Sequence, residues 1–162
     1  MKLGHYSDKP IDNLETKSQT DLRSMFKPRG LWFEVEGDND WREWTTAEQF
    51  GDVNAQYHYR LILSPTTELL QIKSAGELDD FHHEFKTLIP LFPGSHYEMI
   101  DWSKVAKSWD GIIIAPYQWT RRLSDDPCSR WYYAWDCASG CLWNPNGTTL
   151  ELLHKPVSEQ SA

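Results

Sequence analysis

The sequence predicts a mixed α+β fold, a split or bent mixed β-sheet with short helices intercalated among its strands. Three stretches carry that expectation. Tyr57 to Leu63 alternates Tyr57, Tyr59, Leu61 and Leu63 against His58, Arg60 and Ile62, the period of a strand with one buried face. Gly111 to Ala115 is a short β-branched apolar run, the composition of a strand buried on both sides. Between them, Ser74 to Leu88 sets Leu78, Phe81, Phe85 and Leu88 on one helical stripe, so helices interrupt the strands without strict alternation.

The remaining elements follow in chain order. Leu3 to Ser7 reads as a first strand, left through a turn at Pro10. Thr20 or Asp21 offers a side-chain oxygen to cap a short helix through Phe26, and Lys27-Pro28-Arg29-Gly30 breaks it. Leu31 to Val35 is a compact aromatic strand ending at Gly37. Asp40 to Phe50, with Trp41, Trp44 and Phe50, reads as a short amphipathic helix ended by Gly51. Glu68 to Ile72 is a further strand, and Ile89 to Tyr97, with Pro90, Pro93 and Gly94, reads as a loop. Asp101 to Ala106 opens as a short helix, Thr120 to Arg130 as a polar, mobile stretch, and Thr148 to Leu153 as the last strand. The expected organisation is one domain over residues 1–156 with a frayed polar tail at 157–162.

At 162 residues with 40% hydrophobic and 25% charged positions, the composition is that of a chain with a core, not of a disordered one. The net charge of −8 argues against a broad electrostatic grip on nucleic acid, although it leaves a locally held one open. No apolar run approaches the roughly 20 residues of a membrane helix. Met1-Lys2-Leu3 leads into polar sequence without a secretory core, so the expectation is a cytoplasmic protein away from membranes. Cys128, Cys137 and Cys141 are odd in number and lack zinc-ligand spacing, which predicts reduced thiols and no metal.

Trp131 to Trp143 gathers Trp131, Tyr132, Tyr133, Trp135 and Trp143 around a lone acid, Asp136, followed by the small residues Ala138, Ser139 and Gly140. Large aromatics around one carboxylate suggest an aromatic-walled slot, with the glycine allowing a turn or close approach by a ligand. Alternation lets only one of Trp32 and Phe33 face inward, and Trp32 is the candidate for stacking on a ligand. Arg29, between Pro28 and Gly30, is placed to reach a pyrophosphate, and Arg121-Arg122 beside Trp119 could make a local phosphate contact.

Leu3-Gly4-His5-Tyr6-Ser7, the aromatic strand after Gly30, the stretch Trp109-Asp110-Gly111-Ile112-Ile113 and a late acid together resemble the ADP-ribosyltransferase fold of the diphtheria-toxin-like His-Tyr-Glu type, including small bacterial and phage members. The resemblance implies NAD as substrate in a cleft and a mono-ADP-ribosyltransferase acting on a macromolecular acceptor, protein or nucleic acid, as a toxin, phage effector or defence component. It implies catalytic roles for His5 and Asp136 and NAD contacts from His5, Tyr6, Ser7, Arg29, Trp32 and Ser139. His5 would hydrogen-bond a ribose, and the acid would hold the nicotinamide-ribose hydroxyl. Cleaving the glycosidic C–N bond builds positive charge on the ribose, which a nearby carboxylate stabilises. The family's acid is usually Glu. Asp136 matches it in position and is one methylene shorter, with Glu34 and Glu98 as the other acids. His5 and Asp136 are expected on adjacent central strands facing one cleft.

Two other functions compete. Cys137 or Cys141 could act as a nucleophile with a distant His, although the neighbouring Asp136 would raise the thiol's pKa. Alternatively, the tryptophan-rich surface is a non-catalytic binding module for a peptide, sugar or protein.

Overall fold

A computed structural model describes residues 1–20, 26–37, 39–92 and 95–159. Among these residues nine strands form, in the order β1 (Leu3–Ser7), β2 (Leu31–Val35), β3 (Tyr57–Ile62), β4 (Leu69–Ile72), β5 (Lys86–Phe92), β6 (Ser95–Ile100), β7 (Gly111–Ile114), β8 (Ser139–Leu142) and β9 (Thr149–His154). Seven of them make one sheet in the order β4-β7-β8-β2-β1-β3-β9, and β5 and β6 pair separately. The β4–β7 contact is parallel and the others are antiparallel, so the sheet is mixed. The fold is α+β, as its sequence patterns predict.

The period-two segments become strands because alternate side chains find opposite cores. On β7, Ile112 and Ile114 enter a large aromatic core, while Ile113 points into a smaller one with Leu3, Phe33, Leu61 and Leu142. Gly140 on β8 serves this packing: an added Cβ would lie 2.4 Å from both the Phe33 ring and the Ile112 carbonyl. The glycine therefore admits a neighbouring ring.

Among the described residues four short α-helices are intercalated: α1 (Trp41–Ala47), α2 (Ala75–Phe85), α3 (Trp102–Val105) and α4 (Trp119–Arg122). Asp40 caps α1 by accepting from the Glu43 amide at 2.9 Å, and Ser74 caps α2 by accepting from the Glu77 amide at 3.2 Å. α2 lays Leu78, Phe81 and Phe85 against the large core as its stripe predicts. It stops at Phe85, short of Leu88, and the expected loop from Ile89 to Tyr97 is instead largely the β5–β6 hairpin. Pro90 denies a helix its amide and holds Ile89 in extended conformations, while Thr87 and Ile89 are β-branched, so the chain pairs with β6 once the helix ends. Pro93 and Gly94 lie outside the described residues, as does most of the short helix expected between Thr20 and Phe26.

The stretch from Thr120 to Arg130, expected to be polar and mobile, begins inside α4 and leads into 3₁₀ structure over Pro127–Ala134. Trp131, Tyr132 and Trp135 are fully buried against α2, α3 and β6, so they are core rather than the walls of a slot. Trp131 meets Tyr132 and Trp135 edge-on, as aromatic quadrupoles prefer, lying at 89° to Trp135 with centroids 6.2 Å apart, while Tyr132 and Trp135 are stacked. Beyond β9 the chain forms a 3₁₀ turn over Val157–Glu159, and the Tyr57 hydroxyl donates to Glu159 at 2.6 Å.

The middle of the sheet is its least continuous part. β1 pairs with β3 at four positions, from Gly4↔Arg60 to Ser7↔Tyr57, but with β2 at two, Leu3↔Val35 and Gly4↔Glu34. Beyond Gly4 a side chain spans the interval, with His5 Nδ1 2.5 Å from the Trp32 carbonyl.

Candidate functional site

A cavity of about 410 Å³ lies at this interval, within the roughly 300–1,000 Å³ typical of small-molecule sites. β1 contributes Gly4, His5 and Tyr6, and β2 contributes Trp32, Phe33 and Glu34. Asp136 and Cys137 from the segment before β8, and Ser139 at its start, line it too. Of the residues expected to form the site, His5, Tyr6, Trp32, Asp136 and Ser139 are therefore together. His5 and Asp136 share the cavity but not by the expected route: β2 lies between β1 and β8, and Asp136 precedes its strand.

His5 Nδ1–H donates to the Trp32 carbonyl, which fixes the tautomer with the lone pair on Nε2. Burial lowers its pKa, so the ring is a neutral acceptor near pH 7. Trp32 is half-buried, edge-on to Trp135 with centroids 4.8 Å apart, and the Lys27 ammonium sits 4.9 Å from its ring centroid. That ammonium is also 3.6 Å from Asp136 Oδ2, so one cation bridges the candidate stacking ring and the candidate acid. Phe33, the alternating neighbour, packs in the smaller core. Ser139 Oγ donates to the Cys137 carbonyl at 2.9 Å.

Glu34 is 4% exposed and accepts the Trp41 amide at 2.8 Å. Burial, with Asp40 nearby, pushes its carboxyl up to about 7 against the pull of the Trp41 and Arg42 amides. Its Oε1 lies 4.0 Å from His58 Nε2. Tyr6 sits beside this pair, its hydroxyl accepting from Arg42 at 3.3 Å, and burial with the Glu34 charge raises its pKa to about 12.

Lining residues that were not singled out as site candidates in the sequence include Gly4, Lys27, Trp41, Phe50 and Gln56. Trp41 and Phe50 were legible as part of an aromatic helix face. Trp41 stacks on Trp44 with centroids 5.0 Å apart, while Phe50 stays 59% exposed at the rim of the cavity. Lys27 and Gln56 carried no local signal, since their place depends on how distant strands pair.

Ser7 and Arg29 lie outside the lining. Ser7 Oγ donates to the Lys9 carbonyl at 2.7 Å, and the Arg29 backbone is clasped on both sides by the Gln19 amide, at 2.7 and 2.9 Å. Arg121 is held by Asp79, with Nε 2.7 Å from Oδ1, and Arg122 lies 3.6 Å over the Tyr133 ring. Glu98 is also elsewhere, accepting from Lys86 at 3.0 Å and paired with His82 at 2.8 Å. Cys128 approaches these last groups, and the ligand-type atoms of His82, Glu98 and Cys128 lie within 4.8 Å of one another. Burial pushes the Cys137 thiol up to about 12 and that of Cys141 well above its ordinary value, the reverse of what a nucleophilic cysteine needs.

Compared with protein-family models, curated proteins and solved structures, the chain matches none. Among the described residues no helix is long and apolar enough to cross a membrane.

Proposed function

We propose that the chain is a mono-ADP-ribosyltransferase that uses NAD as its substrate and transfers ADP-ribose to a protein or nucleic acid, as a toxin, phage effector or defence component. One observation carries the reading: His5, Tyr6, Trp32, Asp136 and Ser139, drawn from both ends of the chain, line a single cavity. In this reading nicotinamide stacks on Trp32, and His5 Nε2 accepts a ribose hydroxyl. The Asp136 carboxylate faces the ribose and stabilises the positive charge that grows as nicotinamide leaves. Lys27, whose ammonium also sits over the Trp32 ring, pairs with that carboxylate and orients it.

The test is NAD-dependent stabilisation of the purified protein, followed by nicotinamide release with and without macromolecular acceptors. A ligand that binds the folded state raises its melting temperature by mass action. Absence of both stabilisation and release overturns the proposal. Stabilisation without turnover under any acceptor would favour the second reading, a non-catalytic binding module. That reading draws on the Trp41–Trp44 stack and the exposed Phe50 at the cavity's rim.

A further inference from the structure

Transfer of ADP-ribose moves a proton as well as a sugar, since a nucleophile that attacks through O–H must surrender its hydrogen. Asp136, committed to the ribose charge, does not meet that need. Glu34 lines the same cavity and is more deeply buried. One oxygen, Oε2, is fixed by the Trp41 amide at 2.8 Å. The other, Oε1, is 4.0 Å from His58 Nε2, a buried nitrogen without a hydrogen-bond partner.

Gly4 stands between them. A Cβ at Gly4 would lie 2.7 Å from Glu34 Oε1 and 3.0 Å from His58 Nε2, so any side chain here would fill the space both atoms border. Gly4 and Glu34 both line the cavity, and His58 lies just outside its lining, across Gly4 from the carboxyl. An unpartnered buried imidazole nitrogen is costly unless something arrives to satisfy it.

The geometry points to Glu34, seated with His58 across Gly4, as the general base that takes the proton of a hydroxyl nucleophile, water or an alcohol-bearing acceptor. The assignment rests on the NAD reading above. As the nucleophile's oxygen bonds to the ribosyl C1′, the C–N bond to nicotinamide breaks and its electron pair leaves with the ring nitrogen. The O–H proton passes to the Glu34 carboxylate. An Nε2–H on His58 donates to the nucleophile's oxygen and turns its O–H toward Oε1.

Groups facing the pair come from every neighbouring element. Tyr6 lies on β1, Glu36 follows β2, Asp40 and Arg42 stand at α1, and Cys137 precedes β8. His5, His154 and Arg42 act on His58. Burial is the largest influence on Glu34 and, with Asp40 and Glu36, poises the carboxyl near 7, where a base is most useful.

The experiment compares wild type, E34Q and H58N in the full chain. NAD binding is read by thermal shift, and nicotinamide release across pH is measured in water and with methanol as the alcohol nucleophile. E34Q should bind NAD as wild type does, release nicotinamide on the order of 10²–10⁴-fold more slowly, and lose the wild-type rise in rate through pH 7. Formation of the methyl product should fall with hydrolysis. H58N should bind NAD and release nicotinamide more slowly, which keeps the test open if E34Q folds poorly. A wild-type rate or pH profile in E34Q, or a wild-type rate in H58N, overturns the assignment and leaves the NAD reading standing. A wild-type protein that neither binds nor consumes NAD overturns both.

Discussion

Tyr6 and His58 lie opposite one another on β1 and β3 with their rings stacked, centroids 4.3 Å apart and planes 6° from parallel. The stack holds the imidazole in the plane that brings Nε2 toward Glu34. The Glu34 carboxyl beside it is buried, and that burial gives the first prediction its sign.

Glu34 is raised from 4.5 to about 7 in the folded chain, so it favours folding fully below pH 4.5 and loses that contribution as pH rises through 7. E34Q removes the loss. The variant should match wild type near pH 4 and exceed it near pH 8, by up to about 3 kcal/mol. Urea melts at the two pH values check this, and an E34Q chain less stable than wild type at pH 8 would contradict the buried-carboxyl account.

Asp136→Asn keeps the shape of the acid and removes its charge. If the residue stabilises a transition-state charge, NAD binding should survive while nicotinamide release falls on the order of 10²-fold or more. His5→Ala should weaken binding as well, by about fivefold for a lost hydrogen bond of about 1 kcal/mol. Calorimetry beside a turnover assay separates the two patterns; equal rates for Asp136→Asn and wild type would remove Asp136 from the mechanism.

Trp135→Ala should cost about 3–5 kcal/mol, because the ring is fully buried among Trp131, Tyr132 and Trp32. Trp41→Ala, at a half-buried ring on a surface helix, should cost well under half of that and instead alter ligand binding. Chemical denaturation of both variants, with a thermal shift in NAD, tests the contrast.

Thiol labelling should be graded. Cys128 is partly accessible and should react first, whereas Cys137 and Cys141 are buried with raised pKa values and should react only as the chain opens. Mass spectrometry of a timed labelling series reads the order; early modification of Cys137 would reopen the cysteine-nucleophile reading.

Strand positions were legible where the signal is local: burial at every second residue in Tyr57–Ile62, and a short β-branched run buried throughout in Gly111–Ile114. The β5–β6 hairpin was not, because Pro90, Pro93 and Gly94 dominate the local pattern while the pairing that wins is with residues further along the chain. Residue chemistry singled out His5, Trp32 and Asp136. Trp131 and Trp135 misled for the same reason they were noticed: large rings mark cores at least as often as ligand walls. Glu34 was one acid among several until the strand order put Gly4 opposite it and His58 beside it.

The two-position joint between β1 and β2 makes the width of the cavity a property of the main chain more than of the residues around it. Phe50, at the exposed rim, can then be exchanged to suit another ligand while the frame stands, so recognition is free to diverge faster than architecture. Gly4 has no such freedom. It belongs to the joint and to the chemistry at once, and a lineage that altered it would have to rebuild both.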